Sequence, residues 1–250
     1  MTEPHALASG FTGDAAAVYD LGRAPYPREV IDALDLPPGG RVLDLAAGTG
    51  LLSVALLAAG FDVVAVEPLA DMRRRLASKL GDRALDGTAE AIPLADGSVD
   101  AVTAGDSYHW FDADRAVAEM HRVLRPGGRV AIVWRWVDDP PGAPDWWRRI
   151  GEMLDAMRGD HPGFTGDQGR GAFERHGGFA PLEHRRVGTS HLLDRAGFRA
   201  KLASISYVNR LDDAARADFF ARVDTLLDAA GVTEVTEPSR SEIFLTRRLG

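Results

Sequence analysis

Cysteine is absent from the 250 residues, which excludes disulfides, thiolate nucleophiles and cysteine-ligated zinc. The chain therefore fits a reducing compartment. No stretch approaches the roughly 20 apolar residues that a membrane span needs. There is no basic surplus either: 29 Lys and Arg stand against 37 Asp and Glu, a net charge of −8. A nucleic-acid partner is not expected, because such binding relies on a cationic footprint that displaces counterions. Internal repeats and low-complexity segments are missing. The opening "MTEPHALASGFTGD" lacks the basic start and apolar run of a secretory signal, so a soluble cytoplasmic protein is expected. The seven histidines are scattered, with no pair at helix-face ligand spacing, and no metal is expected.

What is present is a hydrophobic fraction of 45%, ordinary for a globular chain and enough for a sizeable core. From Arg41 to Trp134 short apolar runs ("RVLDLA", "DVVAVE", "DAVTA", "GRVAIVW") alternate with helix-like windows at 50–59, 69–80 and 112–124. Such alternation predicts an α/β fold with a doubly wound, mostly parallel sheet and helices on both faces. Pro-Gly turns ("PPGGR", "RPGGR") lead into two of the strands, and an amphipathic helix is predicted over 28–34. After Trp136 the alternation breaks into a proline-rich loop, a helix near 145–157 and a glycine-dense loop, "RGDHPGFTGDQGRG". Pattern returns with "LEHRRVGTSHLL", a helix over "DDAARADFFARVDTLLDAAG" and a final strand, "SEIFLTRR". One domain is expected over 1–250. Its core covers about 36–137, lid elements about 1–35 and 138–175, and sheet completion about 176–250. The run Arg73-Arg74-Arg75 reads as the solvent face of a helix.

The stretch "RVLDLAAGTG" ends a strand abruptly at small residues and begins a helix at once. Ligands of open parallel sheets collect beyond the carboxyl ends of the strands, where this bend falls. Ala46, Gly48 and Gly50 let a ligand approach backbone N–H groups at the helix start. Glu67, ending the next run, can accept both hydroxyl hydrogens of a ribose and repels a 2′-phosphate. A dinucleotide fingerprint would need a third glycine where Ser53 stands, and the turn has no lysine for a phosphate-binding loop. A nucleoside without a pyrophosphate remains.

At this point the chain resembles the class I S-adenosylmethionine-dependent methyltransferases. "VLDLAAGTG" looks like their first motif and "VVAVEP" with Met72 like their second. "DGTAEAIPLADGSVD" matches the third and fourth, and "RVLRPGGRVAIVW" the strand that follows. "AAAVYDLGRAPYP" and "SYHWFD" are similar to elements of a small-molecule branch that includes ubiquinone-biosynthesis-type and trans-aconitate-type enzymes. The resemblance implies a Rossmann-like sheet of seven strands with an antiparallel last strand.

It also implies S-adenosyl-L-methionine as cofactor, and roles for individual residues. Asp44 would order the glycine loop and reach the ligand's amino group, while Gly48 and Gly50 face the methionine part. Glu67 would bind the ribose, with Pro68 and Met72 packing on adenine and Ala89 and Glu90 lining its edge. Asp106 and Ser107 would sit near the methionine amine, with Tyr19 and Arg23 closing from the N-terminal side. Ala46 replaces the family's usual first glycine; a methyl is tolerated there at an ordinary backbone angle and would tighten the methionine pocket.

A sulfonium methyl is already electrophilic, so the protein must align a nucleophile, exclude water and, for a hydroxyl, ammonium or carbon acid, remove a proton. His109, just after the fourth strand, is the candidate base. Tyr26, Trp110, Trp134 and Trp136 are candidates for the substrate pocket, a flat acceptor suiting the aromatic cluster. Three readings stay open: methyl transfer to O, N or C of a small-molecule metabolite, cofactor binding without transfer as a scaffold or sensor, and other cofactor-assisted chemistry. A monomer or a homodimer is compatible with each.

Overall fold

The computed structural model describes residues 19, 20, 22–159 and 169–250. Most of the N-terminal lid expected over 1–35 (residues 1–18 and Leu21), and most of the glycine-dense loop (160–168), lie outside the described residues.

Seven strands form one sheet: β1 (Arg41–Leu45), β2 (Asp62–Val66), β3 (Ala84–Leu85), β4 (Val99–Gly105), β5 (Leu124–Val137), β6 (Glu183–Asp194) and β7 (Glu234–Arg247). Their order is β3-β2-β1-β4-β5-β7-β6, with β1 to β5 parallel and β7 antiparallel to both of its neighbours. The chain winds outward from β1 to β3, then returns to place β4 on the other side of β1. Strand order thus reverses between β1 and β4, the point at which a crevice opens in folds of this kind.

The helices among the described residues are α1 (Arg28–Ala33), α2 (Leu51–Ala58), α3 (Ala70–Leu80), α4 (Ala113–Val123), α5 (Asp145–Arg158), α6 (Gly171–His176), α7 (Arg195–Ala203), α8 (Ser206–Asn209) and α9 (Asp213–Ala229). Starts of α4, α7 and α9 are fixed by Asp112, Asp194 and Asp212, whose carboxylates accept an N–H three residues on.

Alternation along the strands divides the core in two. Leu43, Leu45, Val64 and Val66 pack on one face against Val117 and Met120 of α4 and Phe173 of α6. Val42, Val63 and Ala65 pack on the other against Val30 and Leu34, Leu52 and Leu56 of α2, and Leu76 of α3. A third cluster lies outside the sheet: Ile150 of α5 joins Phe198 and Leu202 of α7 with Phe219, Val223 and Leu227 of α9. The helical cap therefore draws on 195–229 as well as on 145–158.

Three local readings of the sequence are corrected. The two-residue β3 is too short to leave a period, and α7 and α8 follow β6 where no helix is expected. β5 begins at Leu124 rather than after the "RPGGR" turn, and its register against β4 shifts between Val99 and Ala101. Arg73 is not on the solvent face. Its guanidinium turns back to donate to the carbonyls of Glu67 (2.7 Å) and Pro68 (2.9 Å) and pairs with Asp86 at 3.0 Å.

Candidate active site

The turn after β1 is built on left-handed backbone. Ala46, Gly48 and Gly50 have φ of 52°, 59° and 90°. The three positions differ in what they face. A Cβ at Gly48 would meet nothing within 4 Å, so the turn is open there. A Cβ at Gly50 would come within 2.7 Å of Leu76 Cδ1, so this glycine lets the turn press onto α3 and does not line the main cavity. Ala46 lines that cavity with a methyl carried in left-handed conformation, at a cost of about 1–2 kcal/mol. The condition of an ordinary backbone angle is therefore not met at this position.

Beneath the turn, Asp44 accepts from Ser53 Oγ (2.5 Å) and Thr103 Oγ1 (3.2 Å). Burial pushes its carboxyl up to about 6, against these hydrogen bonds. It braces the turn from below and does not line the main cavity.

Glu67 follows β2 and is 4% exposed. It accepts N–H bonds from Gly48 at 2.8 Å and Leu69 at 2.7 Å, so one carboxylate links the tips of two neighbouring strands. Burial raises its pKa to about 7, opposed by those two amides and by Arg73. Pro68, Leu69, Met72 and Ala89 form an apolar wall beside it, and Glu90 stands at the rim, accepting from the Asp112 N–H at 2.9 Å.

Beyond β4, Asp106 takes φ 53° and binds Arg135 twice, accepting from its backbone N–H (2.7 Å) and from Nε (2.8 Å). Burial would raise this carboxyl, but Arg135 and Arg23 outweigh it and hold the value below the usual carboxylate range. Arg135 also donates to the Ala24 carbonyl (2.7 Å) and lies 4.1 Å over the Tyr26 ring. It thus ties the segment before α1 to the strand tips. Tyr26 sits behind this pair, in a small recess with Asp44 and Tyr19, and not on the main cavity. Ser107 lines the cavity while its hydroxyl donates to the Leu45 carbonyl at 3.3 Å.

His109 also lines the cavity, with Trp110, Trp134 and Trp136. Its Nδ1 accepts the indole N–H of Trp134 at 3.3 Å, and the Trp110 ring lies 4.5 Å away. Tyr19 and Arg23 line the same space. Arg23 Nε donates to Ser204 Oγ at 2.9 Å, docking the N-terminal segment on the end of α7. That docking is close, since a Cβ on Gly22 would stand 2.2 Å from the Ala200 carbonyl oxygen.

Apart from Gly50, Asp44 and Tyr26, these groups gather around one cavity of about 820 Å³. From the strand tips it continues under the helical cap, where Trp147, Ile150, Leu154, Phe198, Leu202 and Tyr207 form a largely apolar chamber. Lys201 and Glu237 line it too, and the sequence reading names neither. Their signal was weak: a lysine in an unexpected helix and a glutamate near a strand start. Among the described residues no cluster of His, Asp and Glu is arranged to hold a metal ion, and no helix is long and apolar enough to cross a membrane.

The donor set suits a nucleoside. Glu67 can accept vicinal hydroxyls, the Pro68–Met72–Ala89 wall can take a flat base, and the space above Gly48 is open to a side arm. Residues 43–132 match a family model described as a methyltransferase domain. An uncharacterized methyltransferase of Mycobacterium tuberculosis is 48% identical over 143 residues, covering 57% of this chain and 58% of that protein. A demethylmenaquinone methyltransferase of Beutenbergia cavernae is 40% identical over 154 residues, 57% of this chain and 62% of that one. The matches thus span about three fifths of these curated relatives. A solved structure of a candidate type II methyltransferase from Anaeromyxobacter dehalogenans superposes with a TM-score of 0.63 at 26% identity, covering 90% of this chain and 97% of the other.

Proposed function

We propose that the chain is a class I S-adenosylmethionine-dependent methyltransferase and that it methylates a small, largely apolar acceptor held under the helical cap. One observation carries this reading. The cavity that begins at Gly48 and Glu67 runs without interruption into an aromatic-walled chamber large enough for a second ligand. Glu67 would hold the ribose, Pro68, Met72 and Ala89 the adenine, and the Gly48 turn with Ser107 the methionine arm. When bound, the cofactor supplies an electrophilic methyl on a neutral leaving group. The protein's own work is to orient the acceptor, exclude water with the cap and its tryptophans, and accept a proton where the acceptor carries one. The Beutenbergia relative's name, a methyltransferase of demethylmenaquinone, agrees with an apolar acceptor.

The test is release of S-adenosylhomocysteine from S-adenosylmethionine across a panel of apolar phenols, naphthols, amines and carboxylic acids. Cofactor binding with no release for any of them would turn the reading toward a cofactor-binding sensor.

A further inference from the structure

We propose that Lys201, held by Glu237, is the proton acceptor for a hydroxyl-bearing ring seated in the chamber, of phenol or naphthol class. The proposal rests on the methyl-transfer reading above.

Topology brings the two residues together. β7 runs antiparallel to β5, so its first residues lie at the sheet end where the parallel strands finish. Glu237 stands there, beyond the Ser239–Val137 pairing that ends the β5 register, and opposite His191 of β6. α7 follows β6 directly and carries Lys201 over the same end. Lys201 Nζ contacts the Glu237 carboxylate, with side chains 12% and 7% exposed, and both line the cavity. A buried ion pair contributes little net stability, because desolvation offsets the attraction. Its place in the chamber wall then asks for a chemical reason.

Composition supplies one. Of 29 cationic residues only two are lysines, Lys79 and Lys201. Lys79 is accounted for by Asp20 and the Thr49 carbonyl. The cavity is also lined by Arg23, Arg135 and Arg158, whose guanidinium groups do not release a proton in proteins. Of the Lys and Arg side chains on this cavity, Lys201 is the one that can. The groups facing Lys201 are Glu237 from β7, His191 from β6, Arg135 from β5 and Arg23 from the N-terminal segment. Burial and the two guanidinium groups push the ammonium down to about 6, while Glu237 attracts its proton.

In the transfer, the acceptor's O–H bond breaks and its proton goes to the Nζ lone pair. The oxygen keeps the electron pair and forms the new bond to the methyl carbon. The electron pair of the broken carbon–sulfur bond stays on sulfur, so nothing is oxidised or reduced. The ammonium so formed is stabilised by Glu237 and returns its proton to solvent. A carboxylic acid, already ionised, needs no such step.

Two measurements test this. Lysine labelled with ¹³C at Cε gives two resonances, assigned with K79R. Lys201 is expected to titrate at least about two pH units below the ordinary lysine value of 10.5. With 1-naphthol as acceptor, K201R and K201M are expected to lose about a hundredfold or more in kcat. The naphthol KM and the S-adenosylhomocysteine Kd should change little. Titration of Lys201 at the ordinary lysine value overturns the assignment, as does a K201R kcat near that of the wild type. If the wild type methylates carboxylic acids but neither phenols nor naphthols, the proton role is overturned and the transfer reading stands. If it releases no S-adenosylhomocysteine with any acceptor, both fall.

Discussion

The indole N–H of Trp134 donates to Nδ1 of His109 across 3.3 Å. An indole nitrogen can only donate, so Nδ1 is the acceptor and the neutral ring carries its proton on Nε2. A histidine in that tautomer carries a donor, not an acceptor, on its other ring nitrogen. His109→Gln, which retains an amide donor, is expected to lose far less than the about hundredfold in kcat that removal of a general base costs. A loss of that size, with cofactor affinity unchanged, would identify His109 as the base.

Glu67 gives the site its pH dependence. Its folded pKa of about 7 lies above the ordinary 4.5. Between those values the native state holds a proton that the unfolded chain has released, so this group's contribution to stability falls as pH rises through the window, by about 3 kcal/mol at most. Denaturation of wild type and Glu67→Gln at pH 5 and pH 8 isolates the effect, the wild type losing more between the two. Affinity moves the other way, because the ionised carboxylate is the better acceptor for ribose hydroxyls. S-adenosylhomocysteine should bind roughly tenfold more tightly at pH 8 than at pH 6, a dependence that Glu67→Gln abolishes in calorimetry.

Ala46→Gly should stabilise the protein. It removes the left-handed penalty of about 1–2 kcal/mol at φ 52° and adds about 0.4–1 kcal/mol of unfolded-chain entropy. A rise in Tm of roughly 1–4 °C is expected. Ala46→Val, branched at Cβ in the same conformation, should lower it. An unchanged Tm in both would show that the turn relaxes at this position.

Arg135→Met leaves the Asp106 carboxylate, 17% exposed, without its partner and releases the Ala24 carbonyl and the Tyr26 ring. A loss of about 3–5 kcal/mol is expected, with faster proteolysis before Pro27. Adding Asp106→Asn should recover part of it, and strict additivity of the two changes would show that the pair is not coupled.

Both the architecture and one half of the candidate site could be read from the sequence. The alternating runs, the Pro-Gly turns and the glycine bend are local signals, each set by backbone sterics and side-chain period within a few residues. The same is true of Glu67, which ends an apolar run and whose place at a strand tip follows from parallel winding. The other half depends on long-range pairing. Lys201 meets Glu237 only because β7 reverses direction against β5 and α7 folds back over the sheet end. Arg135 clamps Asp106 and the N-terminal segment only because β4 and β5 finish side by side. Gly48 and Gly50, two residues apart in one turn, face open space and Leu76 respectively, and only the packed position of α3 distinguishes them. Local sterics decide which residues form a strand, a turn or a helix; which buried charges meet is decided by the three-dimensional contacts that desolvate them together.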